Sequence, residues 1–394
     1  MGKPIEVSDV FRTHGSAYRD SHGADMSVRQ LRAMRAIEIC RTAYLGGHVD
    51  ECDHCGALRI SYNSCRNRHC PKCQSLDKER WLEYRKRELL PTQYFHAVFT
   101  LPEGLRSLSL RNQKVIYNIF FRAVSETLQE LSKDKKHLGS EIGFIAILHT
   151  WSQTLMHHPH VHCIITGGGL SLDGMRWVSC KRDFFIHVKV LSKVFRGKFL
   201  DYLKKAYDRK ELKFSGKIGR LAEESAFNAL LSELYDQDWV VYCKPTLENA
   251  EQAIEYLGRY THRVAISNDR IMNLVGGLVT FRYRDSSDND KVKYMTLDAH
   301  EFIRRFLLHI LPDNFVKIRH YGLLSNRGKV IKLSLCRELL GVLLDSEHED
   351  SRKETWEDIL IRITGIDPKI CPVCGKGRMH IKERLPTGSC GLPP

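Results

Sequence analysis

The sequence predicts an α+β fold, in which helices pack on an antiparallel sheet and a small cysteine-rich domain comes first. Two observations support this prediction. Short β-branched and aromatic segments alternate with amphipathic helical segments in the order β, α, β, β, α, β, α. Ahead of them, five cysteines fall within 22 residues, namely Cys52, Cys55, Cys65, Cys70 and Cys73.

Charge and composition predict a folded protein with an anionic partner. At roughly 150 residues per domain, the chain has room for two or three domains. Its 61 Lys and Arg against 47 Asp and Glu give a net charge of +14, which favours nucleic acid as the partner. No apolar run approaches the roughly 20 residues of a membrane span, and the start lacks the apolar core of a signal peptide. We therefore expect a soluble, cytoplasmic protein.

The clustered cysteines predict a zinc site. In a chain without an export signal, cysteines are typical of thiols or metal ligands rather than disulfides. Two CxxC pairs, Cys52 with Cys55 and Cys70 with Cys73, have the spacing at which four thiolates enclose one tetrahedral zinc. Buried free thiols are the alternative. Cys65, His69 and His48 lie nearby, which leaves a substituted ligand or a second metal open. Because the cluster holds no carboxylate, the zinc is expected to be structural.

The elements follow in chain order. An amphipathic basic helix over residues 27–45 leads into the cysteines, and a charged helix ends before Pro91. A strand is predicted at Tyr94–Thr100, a helix at Arg111–Leu131, and an antiparallel pair of strands at Gly143–His149 and His160–Thr166. A polar loop with His157, His158 and Pro159 separates that pair.

The second half of the chain continues this pattern. Residues 181–220 hold 13 Lys and Arg against four acids, at helical spacing, and predict a basic face that contacts phosphates, unless that face is merely solvated. A strand at Asp238–Cys243, a helix at Leu247–Tyr260, a hairpin and a helix at Ala299–Leu311 follow. We expect a zinc-binding domain (1–91), a catalytic domain (92–267), its hairpin and helix extension (268–335) and a C-terminal region (336–394).

His160 and His162 are candidate metal ligands. Alternation along a strand places both imidazoles on one face, while Val161 and Cys163 point to the other. Two histidines so placed can bind one divalent metal. The His-x-His motif alone is weak evidence for a metal site, because any two alternate histidines of a half-buried strand match it.

Tyr256 and Tyr260 are candidate nucleophiles. A spacing of four places both phenols on one side of a helix, where each could reach the same phosphate. Tyrosines at this spacing are more commonly two aromatic residues packed in a core. Arg259, His262 and Arg263 lie alongside, and these polar neighbours suit an anionic substrate better than a sealed core.

Four segments together resemble the two-tyrosine HUH family of bacterial rolling-circle insertion-sequence transposases: CDHCG, YNSCRNRHCPKCQ, HTWSQTLMHHPHVHCIITGGGL and YLGRYTHRVAISN. The resemblance covers roughly residues 27–335. It implies an antiparallel-sheet HUH nuclease domain preceded by a transposase zinc-binding domain. It implies metal-binding histidines at His160 and His162, nucleophiles at Tyr256 and Tyr260, and zinc ligands at Cys52, Cys55, Cys70 and Cys73. Mg²⁺ or Mn²⁺ at the HUH site and single-stranded DNA at insertion-sequence ends are the implied cofactor and partner, in a bacterial, nucleoid-associated protein.

Several alternatives remain open on the sequence. The third ligand of the HUH metal could be Gln252, His149, Gln153 or His262. The late pair Cys371 and Cys374 has no obvious partner pair, although His380 and Cys390 could complete a site. A plasmid replication initiator of the HUH type and a non-catalytic zinc-containing DNA-binding regulator are the rival functions. No nucleotide-binding loop of the GxxxxGK[ST] type is present, so strand separation would depend on a host helicase or replication machinery.

Overall fold

In the computed structural model, the described residues are 4–245, 258, 264–342 and 355–388. They divide into two units. Unit 1 comprises residues 1–81, 262–310 and 347–394, and unit 2 comprises residues 82–261 and 311–346. Unit 1 is therefore assembled from three separate stretches of the chain.

The described helices of unit 1 come from all three of its stretches of chain. They are α1 (Val7–His22), α2 (Val28–Glu38), α3 (Pro71–Lys86, which runs on into unit 2), α8 (Ala299–Leu307) and α10 (Trp356–Thr364). Ser27 starts α2 because its side chain accepts a hydrogen bond from Gln30 N, and Ser27 N in turn donates to Gln30 Oε1 at 2.9 Å. The rings of Phe11 in α1 and Phe306 in α8 meet edge to face at 5.2 Å.

Two three-stranded antiparallel sheets complete unit 1. One holds β1 (Gly47–Cys52), β2 (Leu58–Tyr62) and β12 (Met379–Leu385) in the order β12-β1-β2. The other is a meander of β8 (Ile271–Val275), β9 (Leu278–Asp285) and β10 (Lys291–Asp298). Because β12 pairs directly with β1, the C-terminal part of the chain completes a sheet that the N-terminal part begins.

Unit 2 is built on a six-stranded antiparallel sheet. Its strands are β3 (Tyr94–Thr100), β4 (Ser140–Trp151), β5 (His157–Ser171), β6 (Trp177–Ser179), β7 (Val241–Pro245) and β11 (Ile318–Gly322). The order is β11-β4-β5-β3-β7, with β6 pairing beside β5. Its helices are α4 (Arg106–Arg111), α5 (Gln113–Lys133), α6 (Val188–Asp208), α7 (Glu224–Asp236) and α9 (Lys329–Leu339).

The core of unit 2 lies on one face of this sheet. Phe99 of β3 and Val161 of β5 belong to one buried cluster with Phe120 of α5 and Phe195 of α6. The Phe99 and Phe195 rings lie 5.2 Å apart. Since successive strand residues point to opposite faces, the neighbours of Val161 on β5 point away from these helices.

The predicted α+β class with helices on an antiparallel sheet is confirmed. The strand predicted at Tyr94–Thr100 has the observed bounds. The loop predicted around His157, His158 and Pro159 is wrong, because these residues begin β5. The hairpin turns earlier, where Ser152 N donates to Met156 O at 2.9 Å and Leu155 has a φ of 63°.

The division into units differs from the four consecutive segments expected from the sequence. Residues 268–310 group with the N-terminal stretch rather than with the sheet of unit 2. The physical reason is that α8 buries its apolar face against α1, and Asn268 Oδ1 accepts a hydrogen bond from Val7 N at 3.1 Å. Among the described residues, no helix is both long and apolar enough to cross a membrane.

Candidate functional site

Three histidines meet on the sheet of unit 2, on the face opposite α5 and α6. They are His149 of β4 and His160 and His162 of β5, and one ring nitrogen from each lies within 4.8 Å of the other two. His149 and His160 are direct cross-strand partners. His149 and His162 are buried. The prediction that His160 and His162 share one face is therefore confirmed, and the antiparallel pairing adds His149.

Hydrogen bonds orient two of these rings. His160 Nδ1 lies 2.8 Å from the His158 carbonyl oxygen, to which it donates, so the lone pair of His160 is on Nε2. His162 Nδ1 lies 2.9 Å from Nε2 of His96, a buried residue of β3. Burial, and then the nearby His160, lowers the pKa of His96 to about 4, which keeps that imidazole neutral and able to accept.

This cluster suits a divalent metal. Neutral imidazoles with one nitrogen engaged by a neighbour and the other directed inward are the usual protein ligands of such ions. Among the candidates for the third ligand, His149 lies with His160 and His162. Gln252 and His262 lie outside the described residues.

Tyr256 and Tyr260 also lie outside the described residues, as do Arg259 and Arg263. The described chain enters that segment at Pro245, the last residue of β7, which pairs with Phe95 of β3. The preceding Lys244 pairs with His96. The described chain before this segment thus ends on β7, which is separated from β5 by β3.

Four thiols of unit 1 form a first cysteine cluster, made of Cys40, Cys65, Cys70 and Cys73. Cys73 Sγ lies 3.7 Å from Cys40 Sγ and 3.6 Å from Cys65 Sγ, and Cys70 Sγ lies 3.7 Å from Cys40 Sγ. Tetrahedral zinc with Zn–S bonds of about 2.3 Å separates its sulfurs by about 3.8 Å. The four thiols therefore fit one zinc, and the distances are far too long for disulfides.

Four other thiols form a second cysteine cluster, made of Cys52, Cys55, Cys371 and Cys374. Cys52 Sγ lies 3.8 Å from Cys374 Sγ, and Cys55 Sγ lies 3.7 Å from Cys371 Sγ. These distances also match tetrahedral zinc. Backbone N–H groups of Gly377 and then Lys376 lower the pKa of Cys374 to about 6, which favours the thiolate that a metal requires.

Comparison with known proteins identifies the family. The model of a putative transposase matches residues 143–330, and the model of a transposase zinc-binding domain matches residues 10–101. The putative transposase y4qJ of Sinorhizobium fredii (strain NBRC 101917 / NGR234) is 50% identical over 374 residues, which cover 95% of this chain and 94% of that protein. The chain belongs to this insertion-sequence transposase family.

A more distant relative agrees with that assignment. The transposase for insertion sequence element IS801 of Pseudomonas savastanoi pv. phaseolicola is 28% identical over 354 residues, 89% of this chain and 82% of that protein. No solved structure matches the chain. The recognition of a two-tyrosine HUH transposase with an N-terminal zinc-binding domain is confirmed at the level of the family.

The predicted grouping of the transposase's cysteines was wrong. Cys52, Cys55, Cys70 and Cys73 do not form one site; each pair belongs to a different cluster. The reason is strand pairing, because Cys52 ends β1 and lies opposite Met379 of β12, beside the late cysteine pair.

Cys40 is a ligand candidate that the sequence did not reveal. Its position among the apolar residues of the predicted amphipathic helix indicated a core residue instead. Cys65, considered as a substitute ligand, belongs to the first cluster. Two histidines considered as zinc ligands contact carboxylates: His48 Nε2 lies 3.5 Å from Asp50, and His380 Nε2 lies 3.4 Å from Asp53. Cys390 lies outside the described residues.

The basic region of the transposase lies away from the histidines. Its helix α6 packs on the opposite face of the sheet. Part of its charge is neutralised locally, since Lys198 lies 2.6 Å from Glu130 and Lys205 lies 2.7 Å from Asp201. Any phosphate contacts of α6 are therefore made away from the histidine cluster.

Proposed function

We propose that this transposase cleaves and rejoins single-stranded DNA at insertion-sequence ends through covalent phosphotyrosine intermediates, as in rolling-circle transposition. The observation that carries the proposal is the cluster of His149, His160 and His162 on one face of the sheet. These residues would hold Mg²⁺ or Mn²⁺, which when bound polarises the scissile phosphate and stabilises the charge that develops on it.

The tyrosines supply the nucleophile in this mechanism. The oxygen of Tyr256 or Tyr260 attacks phosphorus, the bond from phosphorus to the 3′ oxygen breaks, and that oxygen leaves as a free hydroxyl after taking a proton. The phosphodiester energy is retained in the 5′-phosphotyrosine, so a later attack by a 3′-hydroxyl rejoins DNA without a nucleotide cofactor. A phenol with an ordinary pKa of about 10 needs such activation at neutral pH.

The position of β7 supports this assignment. Strands of a sheet lie about 4.8 Å apart, so β7 and β5, separated by β3, are about 10 Å apart. Pro245 is level with Ile165, three residues along β5 from His162, so Pro245 and His162 lie about 14 Å apart. Tyr256 follows Pro245 by eleven residues, and even a helical segment of that length spans about 16 Å. A tyrosine in this segment is therefore within reach of the histidine face.

Two alternating nucleophiles suit the transfer of a strand. One tyrosine holds the first cleaved end while the other makes the second cut. We further propose that the zinc of the N-terminal domain is structural, that a host helicase separates the strands, and that the protein acts in the cytoplasm at the nucleoid.

The experiment uses a single-stranded oligonucleotide that carries the element end, with Mg²⁺ or Mn²⁺, and a denaturing gel. The native protein should form a slower covalent band. The Tyr256→Phe and Tyr260→Phe double variant should form none, because phenylalanine keeps the ring and removes the attacking oxygen. Tyr235→Phe, at an exposed tyrosine of α7, is the matched control and should form the adduct.

The histidines are tested in the same assay. His160→Ala with His162→Ala should abolish the adduct and leave DNA binding largely intact, whereas the exposed His137→Ala should change neither. An undiminished adduct in the double tyrosine variant would mean that another residue attacks. Specific DNA binding by a native protein that forms no adduct would identify the non-catalytic regulator. Adduct formation at a plasmid origin but at no element end would identify the replication initiator.

A further inference from the structure

The two halves of the second cysteine cluster come from opposite ends of the chain. Cys52 and Cys55 belong to the N-terminal stretch, and Cys371 and Cys374 follow them by more than three hundred residues. The matched zinc-binding domain covers residues 10–101, so it includes the first cysteine cluster but only the early half of the second.

The two halves have the same local structure. Each is a Cys-x-x-Cys-Gly turn in which the glycine N–H donates to the carbonyl of the first cysteine, from Gly56 to Cys52 at 3.0 Å and from Gly375 to Cys371 at 2.9 Å. Both glycines have positive φ, 69° and 65°, which a residue with a Cβ rarely adopts. Backbone N–H groups also reach sulfur, from His54 to Cys52 and from Gly377 to Cys374, each at 3.4 Å. Two such turns face to face are the usual frame of a four-thiolate zinc.

Further contacts bring these turns together. Asp53 N donates to Arg378 O at 3.1 Å, and Arg378 N donates to Asp53 Oδ1 at 2.8 Å. Arg59 Nη1 donates to the Pro368 carbonyl at 2.9 Å. A Cβ on Gly377 would lie 2.5 Å from Cys52 Sγ, so the close approach of the chains requires glycine there.

We propose that Cys52, Cys55, Cys371 and Cys374 bind a second structural zinc, which fastens the C-terminal segment 355–388 to the N-terminal sheet of unit 1. The ion closes a loop, from Cys55 to Cys371, that contains all of unit 2. Closing so long a loop costs chain entropy. The hydrogen bonds between β12 and β1 offset part of this cost, and the metal–thiolate bonds supply the rest. This inference does not depend on the proposed nuclease mechanism.

Zinc analysis of the full-length protein is the first test. The native protein should contain about two zinc ions per chain, one for each four-thiolate cluster. The Cys371→Ser and Cys374→Ser double variant should contain about one, whereas Cys180→Ser with Cys243→Ser, at cysteines outside both clusters, should keep both. Co²⁺ in place of zinc should give tetrahedral thiolate absorption that falls by about half in the Cys371 and Cys374 variant. Unchanged zinc in that variant, or a single zinc in the native protein, would overturn the proposal.

A cleavage experiment tests the fastening itself. A specific protease site is inserted between residues 343 and 354 of the full-length protein, which is then cut and passed over a sizing column. The C-terminal fragment should stay bound in the native sequence and in Cys40→Ser, which affects only the first cluster. It should separate in the Cys371→Ser and Cys374→Ser variant and after chelation. Retention of the fragment by the variant would show that strand pairing alone holds it, and the proposed role of zinc would be wrong.

Gly377→Ala provides a variant that leaves every ligand in place. The added methyl group should crowd Cys52 Sγ and speed zinc release from the second cluster, with release from the first unchanged. Gly219→Ala, at a half-buried glycine whose Cβ would meet no atom within 4 Å, is the control. Equal release rates in the two glycine variants would contradict the close approach on which the proposal depends.

Discussion

His96 Nε2 lies 2.9 Å from His162 Nδ1, and the two rings stack with centroids 5.1 Å apart and planes 7° from parallel. His96 belongs to β3 and His162 to the adjacent β5. The contact engages Nδ1 of His162, so we expect that ring to bind a metal through Nε2. We therefore regard His96 as a positioning residue for the histidine cluster.

The first prediction concerns His96. His96→Ala should weaken Mn²⁺ binding roughly 10- to 100-fold, the usual cost of losing a residue that orients a metal ligand. Metal titration of adduct formation measures this change, and excess Mn²⁺ should restore the reaction. His96→Gln, whose amide can accept from Nδ1, should recover part of the affinity. A loss of activity that excess metal does not restore would point to a packing defect instead.

The second prediction concerns His149. Because its ring lies with those of His160 and His162, His149→Ala should raise the metal concentration needed for half-maximal cleavage. DNA binding without metal should be unchanged. The control is His137→Ala, because His137 is exposed. His157→Ala is unsuitable as a control, because His157 Nε2 is hydrogen-bonded to buried Tyr117 at 2.9 Å. If His149→Ala behaves like His137→Ala, the third ligand lies elsewhere.

The third prediction concerns the basic helix α6. Lys189 and Lys193 of α6 and Lys210, just beyond its end, are exposed, and replacing all three with Gln should weaken single-strand binding. Each lost phosphate contact should reduce the slope of log K against log salt by about 0.7. The matched control replaces Lys133, Lys135 and Lys136, which are exposed near the end of α5. Equal slopes for the two triple variants would show that α6 makes no special contribution.

The fourth prediction concerns the first cysteine cluster. Cys40 is buried and its Sγ lies 3.7 Å from two other thiols of the cluster. Cys40→Ser should remove one zinc and lower the melting temperature of unit 1, because the ligands contribute folding free energy only when the metal is bound. Metal analysis and thermal unfolding measure the two effects. Cys336→Ser, at a buried cysteine of α9 outside both clusters, should keep the full zinc content.

Local sequence patterns determined several secondary-structure elements and candidate ligands of this transposase. Strand periodicity is a property of neighbouring residues, so the β3 bounds and the shared face of His160 and His162 could be predicted without the fold. Each CxxC turn was recognised for the same reason. The roles of Tyr256 and Tyr260 rest on the motif and stay a prediction.

Only the tertiary structure decided which local features meet. The register of β4 against β5 places His149 opposite His160, and no spacing along the chain reveals that partnership. Likewise, β12 pairs with β1, which brings Cys371 and Cys374 to Cys52 and Cys55 and leaves Cys70 and Cys73 with Cys40 and Cys65. The CxxC spacing carries no local information about its partner thiols, because it occurs both in the turn at Cys52–Cys55 and at the start of α3 at Cys70–Cys73. Contacts between distant residues choose the partners when the chain folds.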